Sequence, residues 1–272
     1  MSAATLDRAP IQRYTAAGTG SITTTRLINS EWIKFRTLRS SWYTLLTGVL
    51  ALIAIGGVIG YNTGKNFTGL APEDAAPSSV LQGYFLAQLL IAVLGVLFVS
   101  GEYSTGMIRS TLAAVPKRVP VLVAKAVVFG GVALVIMVTA SIVTFFTAQL
   151  FLSSYGHGVS LGDPGVLRVV IGTGIYLTLV GLFGSALGWI VRSTAGGIGA
   201  VVAIFLVLPG LLGLVPGVKS LVKFMPSEAG GSFAQSLLAP DRLSAWSGLA
   251  VMTAEVLLAL VVAAVLLRRR DA

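Results

Sequence analysis

Six long apolar stretches with few or no formal charges alternate with shorter charged segments along this chain of 272 residues. A helix needs about 20 mostly apolar residues to cross a hydrocarbon layer about 30 Å thick, and each stretch is long enough. Trimmed at turn residues and interfacial aromatic residues, the stretches predict spans at 42–61, 81–100, 126–152, 168–191, 196–215 and 247–267. The pattern therefore predicts an all-α polytopic membrane protein, in which residues 42–272 form a transmembrane domain of six helices.

The composition agrees with this prediction and excludes several classes of protein. Apolar residues make up 55% of the chain and charged residues 11%, whereas a soluble domain carries roughly 25% charged residues. The chain has no cysteine, so disulfides, thiolate metal sites and cysteine nucleophiles are excluded. No paired catalytic groups are visible, and the single histidine, His157, lacks the companions that a metal site needs. We therefore predict no catalytic residue and no metal site.

The distribution of basic residues predicts the orientation of the chain. Placing the N-terminus inside puts 14 of the 19 Lys and Arg residues on the cytoplasmic side of the six spans, where such residues are retained during insertion. Both termini are then cytoplasmic, because the number of spans is even. The net charge of +9 sits at the ends of spans and forms no single basic patch, which argues against nucleic-acid binding. The predicted surroundings are a lipid membrane, with no nucleic acid as a partner.

The segment before the first span divides into two parts. Residues 1–25 have no apolar core and predict a disordered cytoplasmic tail. In 26–41 and the residue that follows, apolar residues recur at helical spacing, namely Ile28, Trp32, Phe35, Leu38 and Trp42. Although Glu31 and Arg39 project near this face, the pattern predicts an amphipathic helix in the cytoplasmic interface, serving either as a topology anchor or as a contact for a partner. The candidate residues of this interfacial helix are Glu31, Trp32, Lys34, Phe35, Arg36, Arg39 and Trp42.

Residues 101–125, between the second and third spans, form the most informative segment. Glu102 lies where the second span is predicted to end, and apolar residues follow at helix-like intervals from Met107 to Val115, before Pro116. This pattern predicts a short amphipathic helix on the cytoplasmic face, which a basic turn bounded by proline connects to the third span. Its apolar residues either pack on the bilayer and the protein's own helices or contact a partner.

Three features in the second half of the chain are candidates for function. Residues 216–245 are half apolar but too broken to span a membrane, so short re-entrant or interfacial helices are predicted between spans 5 and 6. Pro209 lies within the fifth span and is expected to kink it, because proline lacks a main-chain N–H. Glu255 is a charge inside a predicted span, where it costs about 3 kcal/mol or more. Such a residue is expected to be protonated, to face an aqueous cavity or to pair with Lys219 or Lys223, and to serve either as a structural polar contact or in recognition of substrate.

The order of these elements, with the residues EYSTGMIRSTLAAVPKR at 102–118, resembles the permeases of type-2 ATP-binding cassette (ABC) transporters, particularly the short bacterial exporters. The resemblance covers the architecture from Ser30 to the C-terminus, and its specificity rests on 102–118 and 31–42. The positions that match the family's motif are Glu102, Gly106, Arg109, Pro116 and Arg118. Many relatives have Gly-Thr where this chain has Gly106 and Met107. The candidate ATPase-coupling residues are Glu102, Tyr103, Ser104, Thr105, Gly106, Met107, Ile108, Arg109, Pro116, Lys117 and Arg118.

The resemblance implies an N-terminal interfacial (elbow) helix, a cytoplasmic coupling helix between spans 2 and 3, and a location in the bacterial plasma membrane. The chain would be the membrane-spanning permease subunit of an ATP-driven exporter. It would form the substrate pathway as a homodimer, or as a heterodimer with a related permease, with Glu255 and Pro209 as possible pathway or gate residues. Two copies of a separate ATPase subunit would bind ATP and Mg²⁺. This chain is expected to bind no cofactor and to be no enzyme itself, because it has no G-x-x-x-x-G-K-[ST] loop.

A different class of function also fits the pattern. The chain would then be a non-transporting membrane anchor or sensor, and the same cytoplasmic helix would dock a cytoplasmic partner.

Overall fold

The computed structural model describes residues 23–67, 77–115, 117–215 and 217–269. Within these ranges the chain forms helices, turns and loops and no β-strand. Most of the predicted tail lies outside the described residues, and the first helix begins at Thr24, two residues before the predicted start of the interfacial helix. The hydroxyl of Thr23 accepts a hydrogen bond from the main-chain N–H of Arg26, and such a cap starts a helix.

The described residues contain α1 (Thr24–Thr37), α2 (Arg39–Lys65), α3 (Tyr84–Ser104), α4 (Met107–Ala114), α5 (Val119–Ser154), α6 (Val166–Val191), α7 (Thr194–Val202), α8 (Leu208–Leu214), α9 (Pro226–Phe233) and α10 (Ala245–Arg269). Six helical segments are long and apolar enough to cross a membrane, which confirms the predicted number. They are α2, Ser79–Ser104 with α3, α5, α6, Thr194–Leu214 with α7 and α8, and α10. Most extend several residues beyond the predicted spans, because helical hydrogen bonding continues through polar residues at the ends.

Consecutive spans run in opposite directions, so the segments between them gather at two ends of the bundle. One end carries α1, α4 and the turn between α6 and α7, and we call it the α1 end. There the hydroxyls of Ser100 and Thr194 share a hydrogen bond of 2.9 Å. The opposite end carries α9 and the loop between α5 and α6, and we call it the α9 end.

Small residues bring the helices at the centre of the bundle into close contact. A Cβ at Gly184 of α6 would clash with the carbonyl oxygen of Ala92 in α3. A Cβ at Gly174 would lie 2.5 Å from the Cα of Val138 in α5. Such close approach allows extensive van der Waals contact between helices. In a membrane this contact matters, because lipid is as apolar as the side chains and the hydrophobic effect does not drive the helices together.

The fifth span is irregular where the sequence predicts a disturbance. α7 gives way to a π-helical stretch at Ala203–Val207, and α8 follows directly with Pro209 at its second position. Phe205 of the π-helical stretch is buried and packs edge to face against Phe183 of α6. The helix type thus changes directly before Pro209, whose missing N–H leaves one carbonyl group of the preceding turn without its helical partner. The kink expected at Pro209 stays a prediction.

The segment between spans 5 and 6 contains the short helices that its mixed polarity predicts. A 3-10 helix at Lys219–Phe224 precedes α9, and α9 packs against α6 and α10. Arg168 of α6 donates hydrogen bonds to the carbonyl oxygens of Phe233 and Gln235, at 2.8 and 3.0 Å. These bonds satisfy carbonyl groups that the end of a short helix leaves unpaired. α9 is therefore a fixed part of the bundle.

Candidate functional site

Four charged side chains meet inside the α1 end, and three of them are almost fully buried. Glu31 is 2% exposed, Glu102 4% and Lys125 1%, while Lys34 is partly buried. Lys125 Nζ lies 2.7 Å from Oε2 of Glu31 and 2.9 Å from Oε1 of Glu102. Lys34 Nζ lies 2.8 Å from Oε1 of Glu31 and 3.0 Å from Oε1 of Glu102. Each lysine therefore bridges both carboxylates, and we call these four residues the ion network.

The ion network joins four helices. Glu31 and Lys34 lie on α1, Glu102 in the last turn of α3, and Lys125 in the second turn of α5. Lys34 Nζ also donates a hydrogen bond of 3.3 Å to the hydroxyl of Thr111 on α4. A single cluster of charges thus connects the short helices α1 and α4 to the ends of the second and third spans.

Aromatic packing beside the ion network holds α1 against the bundle. Phe35 lies one turn after Glu31 on the same face of α1 and is 1% exposed. Its ring packs edge to face against Phe98, with centroids 5.2 Å apart, and against Phe129 at 6.4 Å. The ammonium group of Lys125 lies 4.2 Å from the centre of the Phe98 ring, within the range of a cation–π interaction. The face of α1 that carries Glu31 is therefore the face that enters the core.

Charge is balanced within the ion network. Two carboxylates face two ammonium groups, whereas a buried charge without a partner is strongly destabilising. Burial disfavours the charged form of Lys34, but hydrogen bonds and charge interactions with Glu31 and Glu102 outweigh that effect. Together they raise the pKa of Lys34 above its ordinary value, so Lys34 stays charged at neutral pH.

A glycine turn joins α3 to α4. Gly106 has a φ of +73°, a left-handed conformation that glycine adopts without the strain that a Cβ introduces. The hydroxyls of Ser104 and Thr105 donate hydrogen bonds to the carbonyl oxygen of Gly101, at 3.0 and 2.8 Å. These bonds satisfy the last turn of α3, and the chain then turns so that α4 lies between α1 and the end of α10.

The apolar and polar residues of α4 lie on two different faces. Ile108, Leu112 and the following Val115 are buried in an apolar cluster with Trp189 of α6 and Leu267 of α10. The exposed face presents Arg109, Ser110, Ala113 and Ala114. The apolar residues of α4 therefore pack on the protein's own helices, and its polar face points away from the bundle.

Contacts on both sides of α4 attach the 102–118 segment to other helices. Arg118 Nη1 donates a hydrogen bond of 3.2 Å to the carbonyl oxygen of Leu267, near the end of α10. The guanidinium group of Arg192 lies 5.4 Å from the centre of the Tyr103 ring, and that ring packs edge to face against Trp189. The segment is thereby fixed to α6 and α10 as well as to α1.

The structure corrects the predicted apolar face of α1. Its buried residues are Glu31 and Phe35, whereas Trp32 and Leu38 are each 40% exposed. Phe35 is buried and Ile28 packs against the core, as the pattern predicts. The pattern treated Glu31 as an interruption of this face, while two lysines from the protein make the burial of its carboxylate possible. The predicted helix at 26–41 also ends earlier, since α1 ends at Thr37 and α2 begins at Arg39.

The remaining predicted residues at this end take exposed or supporting positions. Arg36, Arg39 and Lys117 are exposed. The indole N–H of Trp42 donates a hydrogen bond of 3.1 Å to the carbonyl oxygen of Arg36, which closes the junction between α1 and α2. Pro116 lies outside the described residues.

Glu255 and Pro209 are not part of the ion network. Glu255 is partly buried in the middle of α10, and its Oε2 atom has no hydrogen-bond partner in the described part of the chain. The suggested contact with Lys223 is not formed, because that ammonium group lies over the ring of Phe224. The side chain of Lys219 lies outside the description.

Sequence reasoning did not predict the pairing of Lys125 with Glu31 and Glu102. In the sequence pattern, Lys125 marks only the start of the third span. A usable signal was nevertheless present, because Glu102 closes the second span and Lys125 opens the third. Consecutive elements are usually neighbours in space, so opposite charges at adjoining ends of two spans are candidates for an ion pair.

No model of a known protein family matches the chain, and no curated protein matches it significantly. Across the ranges that the structure describes, no group of three or more His, Asp or Glu side chains could hold a metal ion.

Proposed function

We propose that this chain is the membrane-spanning permease subunit of an ATP-driven ABC exporter in the bacterial plasma membrane, with both termini cytoplasmic. In this proposal α1 is the elbow helix, and α4 is the coupling helix that contacts a separate ATPase subunit. Two observations support it: the residues at 102–118 resemble those of type-2 permeases, and six helices are long and apolar enough to span a membrane.

The observation that carries the proposal is the connection of α4 to two spans through the ion network. Lys34 contacts both Thr111 of α4 and Glu102 of α3, and Lys125 brings in α5. If an ATPase displaced α4, a flexible linker would absorb the movement. α4 instead packs on the bundle through Ile108 and Leu112 and is hydrogen-bonded through Thr111 to Lys34, so we expect it to pass movement on to α3 and α5, which reach the opposite end of the bundle.

The proposed assembly contains two permease copies and two ATPase subunits that bind ATP and Mg²⁺. The substrate pathway lies between the two permease copies. The fifth span and α10 are the two spans with the smallest buried share, which is consistent with surfaces that meet a second copy or a substrate. Pro209 and Glu255 lie on these two spans, so they remain the candidate gate and pathway residues.

Co-purification with the ATPase encoded in a neighbouring reading frame tests the proposal. The chain is expected to form a stable complex with this ATPase and to change its rate of ATP hydrolysis. Arg109→Ala is expected to weaken that change, because Arg109 is on the exposed face of α4, while the control Lys65→Ala at the α9 end has no effect. The proposal fails if no complex forms and hydrolysis is unaffected by Glu102→Ala and Arg109→Ala.

The exposed polar face of α4 also suits a non-transporting anchor or sensor. Such a protein would use the same face to dock a cytoplasmic signalling partner, without moving a solute. ATP-dependent transport of any solute into inverted membrane vesicles that contain the complex would exclude this alternative.

A further inference from the structure

The surface charge at the α1 end has one sign once the ion network is taken into account. Among the described residues, the acidic side chains at this end are Glu31 and Glu102, and both are buried and paired with lysine. The exposed charged residues at this end are Arg26, Arg36, Arg39, Arg109, Lys117, Arg268 and Arg269. The described acidic residues Asp163, Glu228 and Asp241 lie at the α9 end. Within the part of the chain that the structure describes, the exposed charges that a partner meets at the α1 end are therefore all positive.

The exposed face of α4 is suited to a protein rather than to lipid. A helix that lies on a membrane offers large apolar residues to the acyl chains, but α4 already buries Ile108 and Leu112 against the bundle. The face that remains carries Arg109, Ser110, Ala113 and Ala114, and the one large apolar residue exposed on α4 is Met107 at its start, which borders the groove described next. The two alanines leave room for another main chain to approach closely, and Arg109 stands beside them as a charged contact.

A groove of about 380 Å³ lies between α1 and α4 beside this face. Its apolar wall is formed by Leu27, Met107, Ala114 and Val115, and the hydroxyls of Ser30 and Ser110 lie on its border. Arg26, Glu31, Lys34 and Thr111 also line the groove. It offers space for a large side chain, with an apolar wall on one part of its surface and the paired charges of Glu31 and Lys34 on another.

From these observations we infer that α4 and the groove bind an acidic protein surface, whose carboxylates face Arg109 and Lys117 and whose apolar side chain fills the groove. The inference rests on the proposed function, because it assigns this chemistry to the face of the ATPase that contacts the permease. The pairing of the two buried carboxylates with lysines contributes to this recognition. Since Glu31 and Glu102 are paired within the protein, they do not compete with the partner's carboxylates for the exposed arginines and lysine.

Opposite charge across an interface mainly sets orientation and association rate, and salt screens it. The test uses the full chain in nanodiscs of phosphatidylcholine, so that anionic lipid makes no contribution. Affinity for the neighbouring ATPase is measured from about 50 to about 300 mM NaCl, a range over which the screening length shortens about 2.5-fold. Wild-type binding is expected to weaken as the salt concentration rises.

Reversing the charge of individual residues then shows which of them cause the salt dependence of binding. The double variant Arg109→Glu, Lys117→Glu is expected to lower affinity about tenfold at low salt and to lose most of the salt dependence. Both side chains are exposed, so the fold is not at risk. The matched control Lys65→Glu reverses an exposed charge at the α9 end and is expected to bind like wild type. Ala114→Trp fills the groove and is expected to weaken binding at every salt concentration.

The outcomes separate the two levels of the argument. If wild type binds no ATPase, the proposed function and this inference both fail. If wild type binds the ATPase and charge reversal changes neither affinity nor salt dependence, the inference alone is overturned. It is also overturned if the double variant loses binding to phosphatidylglycerol vesicles while its affinity for the ATPase is unchanged, because the basic surface then serves lipid.

Discussion

Replacing Lys125 by methionine is expected to destabilise the bundle strongly. The side chain of Lys125 is 1% exposed, and its ammonium group lies within 2.9 Å of oxygen atoms from both Glu31 and Glu102. Methionine has a similar length and no charge, so the main loss is electrostatic. It leaves two buried carboxylates that share the one ammonium group of Lys34. Removing one partner of a buried charge pair costs about 3–5 kcal/mol, and we expect a loss of that size in the free energy of unfolding.

A second substitution separates charge balance from packing. In Glu31→Gln, Lys125→Met, the remaining Glu102 faces Lys34 at 3.0 Å, so one negative charge again meets one positive charge. The double variant is expected to be more stable than Lys125→Met alone, with a coupling energy of about 1–3 kcal/mol between the two sites. Lys223→Met serves as the control, because Lys223 lies at the α9 end outside the ion network.

Unfolding by SDS in mixed micelles measures these differences, with tryptophan fluorescence as the signal from the four tryptophans of the chain. The expected order of stability is wild type and Lys223→Met together, then the double variant, then Lys125→Met. Equal midpoints for Lys125→Met and wild type would refute the argument that Lys125 neutralises buried carboxylates. If the double variant were no more stable than Lys125→Met, the stability lost in Lys125→Met would come from packing and not from unbalanced charge.

Three further predictions follow from local geometry. Gly184→Leu is expected to prevent recovery of monodisperse protein, because its side chain would clash with α3, whereas Gly131→Leu, which has no neighbouring atom within 4 Å, is expected to be tolerated. Gly106→Ala is expected to cost about 1 kcal/mol in SDS unfolding from its left-handed φ, without a steric clash. The raised pKa of Lys34 means that its stabilising contribution is complete below about pH 10.5 and is lost as the pH rises through the higher value of the folded state. Alkaline unfolding should therefore begin above that pH, and Lys34→Met should remove this part of the pH dependence.

The spans were predictable because the insertion of a helix into lipid depends on the hydropathy of its own residues, which is a local property of the sequence. A window of about 20 apolar residues identifies a span whatever its neighbours are, and the six predicted spans coincide with the six long helices. Their ends were less predictable, since nothing in hydropathy marks where helical hydrogen bonding stops. α2, for example, continues to Lys65, four residues beyond the predicted end at 61.

The ion network was not predictable in the same way, because it depends on how separate elements meet. The spacing of Ile28, Trp32 and Phe35 describes an apolar stripe, but the stripe that is buried depends on what α5 and α3 present to it. Lys125 of α5 places a positive charge where α1 packs against the bundle, so the turn of α1 that carries Glu31 is buried against it. The residue that breaks the local pattern is therefore the one that determines how α1 packs.

Burying charge at this place has a consequence that apolar contacts alone would not have. If α1 moved by one helical turn, about 5.4 Å, Phe35 would leave the rings of Phe98 and Phe129 and lose apolar packing. Glu31 would also leave Lys125, and its buried carboxylate would keep only the partly exposed Lys34 of the same helix as a partner, which weakens the compensation that a buried charge needs. The same holds for Lys34 against Glu102 and Thr111. The ion network thus restricts α1, α4 and the ends of α3 and α5 to one register, and a fixed register is what a helix needs if force applied at α4 is to reach the spans.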